Sequence, residues 1–149
     1  MRILIDTNIL VRLRDNKSPH HEICQAALDH LREEHSAQTY LCAQVLIEYW
    51  AVATRPIEVN GLGLSTAQTA RDIFDMEQVF RCLPEPPDIA KRWLDTVRTH
   101  DVQGKQTHDA RLVAFVQASG ITHLLTLNTA DFVRYQEITV LSPENALNL

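Results

Sequence analysis

A short apolar run near the start of this chain ends abruptly at a carboxylate. Ile3, Leu4 and Ile5 are followed directly by Asp6, and apolar residues resume at Ile9. An unbroken aliphatic run of this kind indicates a strand buried on both faces, which is typical of a parallel sheet. Asp6 would then lie at the carboxyl end of the strand, where open α/β sheets bind their ligands. The alternative is that Asp6 serves only as the N-cap of the helix that follows.

Strand-like and helix-like segments alternate along the rest of the chain. The predicted strands cover residues 3–5, 39–43, 80–83, 122–127 and 138–141, and the predicted helices cover 8–14, 44–54, 65–79 and 88–100, with two more that begin at Ser18 and Thr107. Ser65 and Gln68 form a capping-box signature at the start of one helix. This alternation predicts an α/β fold, a three-layer αβα sandwich with a mainly parallel sheet of four to five strands. The length fits one domain over residues 1–149.

Composition and charge narrow the class of protein. The chain is 45% hydrophobic and 22% charged, which is typical of a globular domain. A net charge of −5 argues against coating nucleic acid by bulk positive charge, but it is compatible with a nuclease whose acidic pocket holds cations. The longest apolar stretch, residues 41–53, is too short for a membrane span. Cys24, Cys42 and Cys82 lack paired spacing and no secretion signal is visible, so we expect a cytoplasmic protein.

Four carboxylates lie at positions where folding alone would not require an acid, at the ends of strands, at the start of a helix or within an apolar helix. Asp6 ends the first predicted strand, Glu48 interrupts an apolar helix, Asp109 lies in the first turn of another helix, and Asp131 follows the strand 122–127. Three of the four lie where a strand or its loop meets a helix, so we expect them to converge at one end of the sheet. Clustered carboxylates repel one another unless a divalent cation lies between them. An all-oxygen ligand set suits Mg²⁺ or Mn²⁺, and water activated by such an ion hydrolyses phosphodiesters.

Each of these carboxylates also has a purely structural interpretation. Glu48 could pair with Arg55 at the surface, and Asp109 could stabilise the N-terminus of its helix. Asp131 could initiate a turn over residues 128–132. Taken singly, each interpretation is simpler than a catalytic role, but together they require four coincidences.

The motifs that contain these carboxylates resemble those of the PIN-domain family, and in particular its single-domain VapC-type toxins of bacterial toxin–antitoxin pairs. The motifs are Asp6-Thr7-Asn8 after the apolar strand, Gln44 to Glu48 in the apolar helix, His108-Asp109-Ala110, and Thr126 to Phe132. They follow the family pattern in order over nearly the whole chain. The loop at residues 60–64 aligns with no family motif, so the resemblance does not define the substrate groove there.

The resemblance implies an Mg²⁺- or Mn²⁺-dependent endoribonuclease on an αβα fold. It further implies a homodimer and a small antitoxin protein that covers the active-site groove. Asp6, Asp109 and Asp131 would bind the metal, and Glu48 would complete the site or orient the attacking water. The polar residues that would support this acidic quartet are Thr7, Asn8 and Asn128.

Three basic residues are candidates for contact with an RNA backbone, namely Arg12, Arg14 and Lys105. The alternative for them is a solvated basic patch. An aspartyl-phosphate mechanism with Asp6 as nucleophile is a competing function, but Asn8 stands where such enzymes usually carry a second Asp. A PIN-like module that binds RNA or protein without turnover, and a housekeeping RNA-processing nuclease, are two further alternatives.

Overall fold

A computed structural model describes all 149 residues. Five parallel strands form one sheet in the order β3-β2-β1-β4-β5. Ile3, Leu4 and Ile5 of the central strand are fully buried, as the unbroken aliphatic run predicts. The strands are β1 (Arg2–Ile5), β2 (Gln38–Leu41), β3 (Arg81–Cys82), β4 (His123–Leu125) and β5 (Thr139–Leu141).

Seven α-helices flank the sheet. Helices α1 to α4 and α7 form one connected set of contacts, and α5 packs against α6 as a separate pair. Because the strand order reverses at β1, right-handed crossovers place these two sets on opposite faces. The predicted three-layer αβα sandwich is therefore confirmed. No helix is both long and apolar enough to cross a membrane. The helices are α1 (Thr7–Arg14), α2 (His21–Glu33), α3 (Ala43–Thr54), α4 (Thr66–Val79), α5 (Ile89–Thr99), α6 (Thr107–Ala118) and α7 (Pro143–Ala146).

Local capping signals explain several of these boundaries. The Ser65 side chain accepts from the backbone of Gln68, whose own side chain accepts from the backbone of Ser65, so the predicted capping box at the start of α4 is confirmed. Gly120 follows α6 with φ of +63°, a left-handed conformation that glycine adopts without strain.

The predicted start of α2 at Ser18 is wrong. The Ser18 hydroxyl accepts from the backbone nitrogen of His20 at 3.2 Å, and its carbonyl accepts from that of His21 at 3.1 Å. These bonds close a turn first, so the helix begins only at His21. The sequence-based assignment also lacks α7, although Ser142 caps it and Pro143 occupies its first position.

The pairing of β1 with β4 positions the functional site. Ile5 pairs with Leu125 in the parallel ladder, so Asp6 and Thr126 emerge side by side at the carboxyl ends of the two strands. The Asp6 backbone nitrogen donates to the carbonyl oxygen of Leu125 at 3.0 Å. The chain continues from β1 towards one edge of the sheet and later returns to fill the other edge, so a crevice opens at this point.

Candidate active site

A cavity of about 580 Å³ opens at the carboxyl end of β1. It lies between the start of α1, one side of α3, the loop after α3, and the start of α6. Three of the four predicted acidic residues line this cavity, and so do the three polar residues predicted to support them. The acidic residues are Asp6, Glu48 and Asp109, and the polar residues are Thr7, Asn8 and Asn128.

Asp6 is both the N-cap of α1 and the most buried acid of the cavity, with 7% of its surface exposed. Its Oδ1 atom accepts from the backbone nitrogen of Thr7 at 2.7 Å. Its Oδ2 atom accepts from Asn8 Nδ2 at 2.7 Å and from the Thr126 hydroxyl at 2.6 Å. These three donors hold the carboxylate in one orientation, so capping and placement in the cavity occur together.

Thr126 positions the Asp6 carboxylate, a contact that the sequence motifs did not reveal. It is fully buried, and its hydroxyl donates to Asp6 while it accepts from Asn8 Nδ2 at 2.9 Å and from the backbone nitrogen of Asn128 at 3.0 Å. The Asn8 Oδ1 atom in turn accepts from the backbone nitrogen of Leu127 at 3.0 Å. The loop after β4 is thus tied directly to the start of α1. The signals in the sequence are a hydroxyl at the end of an apolar strand and its place at the start of the motif Thr126 to Phe132.

Glu48 faces the cavity from α3 and is held by two neighbours. The Thr7 hydroxyl donates to its Oε2 atom at 3.1 Å, and Gln44 Nε2 donates to its Oε1 atom at 2.9 Å. Glu48 forms no ion pair with Arg55, so the structural alternative considered from the sequence is wrong. Thr7 therefore acts on both acids, through its backbone on Asp6 and through its side chain on Glu48.

Asp109 lies in the first turn of α6, half-buried at the wall of the cavity. Burial raises the pKa of Asp109 to about 6, with further upward contributions from the charges of Asp131, Asp6 and Glu48. The other three acids therefore lie close enough to Asp109 for their charges to act on it. Burial also raises the pKa of Asp6, with a smaller contribution from Glu48, although the donors on its carboxylate oppose the rise.

Asp131 is placed differently from the other three acids. It is exposed in the short 3₁₀ turn Thr129–Phe132, whose first bond runs from its backbone nitrogen to the carbonyl of Asn128 at 3.1 Å. Its side chain does not line the cavity. Asp131 therefore does occupy the predicted turn, yet its charge still reaches Asp109.

The donor set of the cavity fits a divalent cation of the magnesium type. Its acids offer only oxygen atoms, and the neighbouring acidic charges add to the effect of burial in raising the pKa of Asp109. No three His, Cys, Asp or Glu side chains are already gathered around one point as a closed ligand set. Magnesium usually needs only one or two carboxylates because waters and substrate phosphates complete its shell. The open arrangement is thus compatible with such an ion.

The three candidate RNA contacts occupy different surroundings. Arg12 is the only basic residue that lines the cavity, and its Nε atom is buried without a hydrogen-bond partner. Arg14 is instead held by Asp72, with 2.9 Å between Nε and Oδ2. Lys105 is exposed in the 3₁₀ turn that precedes α6, outside the cavity lining.

The loop that aligned with no family motif forms one wall of the cavity. Ile57, Asn60, Gly61 and Leu62 all contribute to this wall. Backbone bonds of 3.0 to 3.1 Å tie the nitrogens of Gly61 and Leu62 to the carbonyls of Pro56 and Val52, close to the end of α3. The structure therefore defines the part of the groove that the motifs left open.

Comparison with known proteins gives a family match and a set of similar folds. A PIN-domain family model matches residues 3–138. A search among curated proteins found no match. Among solved structures, VapBC2 from Rickettsia felis bound to a promoter DNA fragment is similar with a TM-score of 0.73 at 14% identity, over 95% of this chain and 98% of that one.

Two further structures share the fold. VapBC-1 from nontypeable Haemophilus influenzae gives a TM-score of 0.69 at 17% identity, over 97% of this chain and 99% of that one. VapC20 from Mycobacterium tuberculosis, described as a sarcin–ricin loop cleaving toxin, gives 0.61 at 17% identity, over 82% and 86% of the two chains. Identities this low establish similarity of fold, and they leave the activity of the present chain to be argued from its own residues.

Proposed function

Because the chain belongs to the PIN-domain family, we propose that it is a VapC-type toxin that cleaves RNA in a reaction dependent on Mg²⁺ or Mn²⁺. The observation that carries this proposal is the cavity in which Asp6, Glu48 and Asp109 lie together at the carboxyl end of the central strand. A binding module would have no need to place three buried or half-buried acids beside one another.

We assign the metal to this acidic group. Asp6 and Asp109 would bind the cation directly or through water, with Asp131 contributing from the exposed turn and Glu48 completing the site. When bound, the cation would neutralise phosphate charge and lower the pKa of an attacking water. Thr7, Asn8 and Thr126 hold the Asp6 carboxylate in place, so little reorganisation is required when the ion enters.

RNA would bind across the cavity through its phosphates. Arg12 is placed to receive one, because it is the one basic residue in the cavity lining. Asn128 is exposed at the rim and could donate its amide to the scissile phosphate. Single-stranded loops are the substrates that an open groove of this kind accommodates, because their backbone and bases are accessible.

We further propose that the protein is cytoplasmic, forms a homodimer and is neutralised by a small antitoxin. Several solved structures with this fold are VapBC complexes, in which toxin and antitoxin are bound together. Ile47 and Trp50 on α3 are exposed apolar side chains that a protein partner could cover. A small protein encoded beside this chain should abolish RNA cleavage at equimolar concentration if it is the antitoxin.

The proposed activity is tested with purified protein and total RNA in EDTA, Mg²⁺ or Mn²⁺. We expect discrete cleavage products only with metal, and none from Asp109→Asn. Asp95→Asn on α5 is the matched control, because this exposed acid lies outside the cavity, and it should cleave as the parent does. Cleavage in EDTA would contradict the metal requirement. RNA binding without cleavage would favour a PIN-like binding module.

A further inference from the structure

The buried amide of Gln44 connects two of the candidate metal ligands. Gln44 lies in the first turn of α3 and is 7% exposed. Its Nε2 atom donates to Oε1 of Glu48, one turn further along α3, at 2.9 Å. The same nitrogen donates at 2.9 Å to the carbonyl oxygen of His108, the residue directly before Asp109. One side chain therefore ties Glu48 to the helical turn that carries Asp109.

The orientation of this amide is set by Arg111, which lies on α6. Its Nη1 atom donates to Oε1 of Gln44 at 2.8 Å. Both amide hydrogens then have acceptors and the amide oxygen has a donor, so only one orientation satisfies all three partners. The reversed amide would turn its oxygen towards the Glu48 carboxylate and the His108 carbonyl. Arg111 thus prevents an arrangement that would repel Glu48.

Arg111 is itself anchored at the edge of the protein. Its Nη2 atom pairs with the carboxylate of Glu85, in the proline-rich loop between β3 and α5. The two side chains of this pair are 31% and 32% exposed. A continuous series of hydrogen bonds therefore runs from a partly exposed ion pair to the acid that faces the cavity.

We propose that Gln44 and Arg111 are positioning residues, which set the place of Glu48 relative to Asp109 for cation binding. The inference rests on the proposed metal-dependent function. All polar atoms of the Gln44 side chain are occupied by protein partners, so it acts through Glu48 and not on the metal or RNA. Groups that hydrogen-bond to metal ligands typically change metal affinity about 10–100-fold when they are removed.

The proposal is tested by Mn²⁺ titration calorimetry on Gln44→Met, Arg111→Met and the double variant. Methionine keeps a side chain of comparable length and removes the hydrogen-bonding groups. We expect Gln44→Met to weaken Mn²⁺ binding roughly 10–100-fold. RNA cleavage should lose kcat with KM held within about twofold, since the contacts to RNA are untouched. The double variant should bind Mn²⁺ no more weakly than Gln44→Met alone, because Arg111 acts through Gln44.

The matched control is Arg92→Met, which removes another arginine–carboxylate pair at the surface. Arg92 pairs with Asp88 at 2.8 Å, at the start of α5. We expect Arg92→Met to bind Mn²⁺ with the same affinity as the parent protein. Arg111→Lys provides a milder change that keeps the charge but cannot bridge Gln44 and Glu85 with a rigid fork, so it should weaken Mn²⁺ binding without unfolding the protein.

Two results would overturn the positioning role. One is a folded Gln44→Met or Arg111→Lys protein with the parent affinity for Mn²⁺, and the other is additive losses in the double variant. A crystal structure of Gln44→Met without metal gives a separate readout, in which Glu48 should move away from its present position. If the parent binds Mn²⁺ and cleaves RNA while the variants match it, only this inference fails. If the parent itself does neither, the proposed function fails with it.

Discussion

At the scale of single residues, Asp6 and Asp109 face the same cavity but are held in different ways. Asp6 accepts three hydrogen bonds, whereas the Asp109 side chain accepts none from the protein. Replacing either acid by Asn removes a negative charge from the cluster. Only at position 6 does the new amide group face two existing donors, Asn8 and Thr126.

We therefore expect Asp109→Asn to be more stable than Asp6→Asn in the absence of metal. The difference should be about 1–2 kcal/mol in the free energy of unfolding, which is the usual cost of leaving a buried donor unpaired. Urea denaturation in EDTA measures it. Both variants should lose Mn²⁺ binding, and equal stabilities would show that the donors on Asp6 contribute nothing.

The phosphate contact proposed for Arg12 is also tested at the residue scale. Arg12→Met should raise KM for RNA about tenfold with kcat unchanged, which corresponds to about 1.4 kcal/mol for one lost charged contact. The salt dependence of RNA binding should also decrease by roughly one phosphate contact. Arg14→Met on the same helix is the control, because Arg14 is occupied by Asp72 and should leave KM unchanged. An unchanged KM for Arg12→Met would show that Arg12 does not contact the RNA.

At the scale of elements, helix α3 explains how a carboxylate is tolerated in an apolar segment. Val45, Tyr49 and Ala53 form its buried face, while Ile47 is 69% exposed. Glu48 lies between these faces and looks towards α1, where Thr7 donates to it. In the folded protein α3 therefore has a buried face and an exposed face, even though its sequence is apolar nearly all round. The hydrogen bonds that the Glu48 carboxylate accepts reduce the cost of burying its charge.

Gly61 lies at the tightest backbone approach in the loop after α3. A Cβ atom on Gly61 would lie 1.9 Å from the carbonyl oxygen of Arg55, so no other residue fits without displacing the loop. We expect Gly61→Ala to cost about 1–3 kcal/mol of stability and to raise KM for RNA, because this loop forms a wall of the cavity. Thermal unfolding and cleavage kinetics measure the two effects.

Gly120→Ala is the control for this variant. Gly120 has φ of +63° and no atom within 4 Å of an added Cβ, and it lies at the end of α6, outside the cavity lining. It should lose about 1 kcal/mol through backbone strain alone and keep the parent KM. If Gly61→Ala also kept the parent KM, the loop would have no part in substrate binding.

At the scale of the whole molecule, the sheet topology concentrates negative charge at one point. Elements from distant parts of the chain supply Asp6, Glu48 and Asp109, and they meet where the strand order reverses. The pKa of Asp109 is raised by burial and by the neighbouring acids from 3.8 to about 6. An acid whose pKa is higher in the folded state favours folding when protonated. Its contribution is complete below pH 3.8 and is lost as the pH rises through about 6.

The stabilisation by Mn²⁺ should therefore depend on pH in the opposite sense. Above about pH 6 the Asp109 carboxylate is ionised and free to bind the cation, so Mn²⁺ at 100 times its Kd should raise Tm by about 5–10 °C. Near pH 5 protons compete with the ion and the increase should be much smaller. Calorimetric scans at the two pH values, with and without Mn²⁺, provide the measurement. An equal increase at both values would place the ion away from Asp109.

Much of the architecture was predictable because its signals are local. The aliphatic run before Asp6 indicated a central parallel strand, and the Ser65 capping box marked the start of α4. The start of α2 was predicted wrongly because Ser18 uses its oxygen atoms to close a turn. The assignment of the four acids remains a prediction, since their meeting at one end of the sheet is geometry and their role in cleavage is chemistry still to be measured.

Hydrophobic periodicity and capping act over a few residues, and for this reason the strand–helix alternation, the strand buried on both faces and the residue types available for cation binding could be predicted. The partners of those residues follow from the packing of the elements. Two hydrogen bonds join segments that are distant in sequence, one from Thr126 to Asp6 and one from Gln44 to His108. The loop wall at Gly61 depends on a close backbone approach. Hydrogen bonds of this kind depend on how whole elements pack, and no local pattern encodes them.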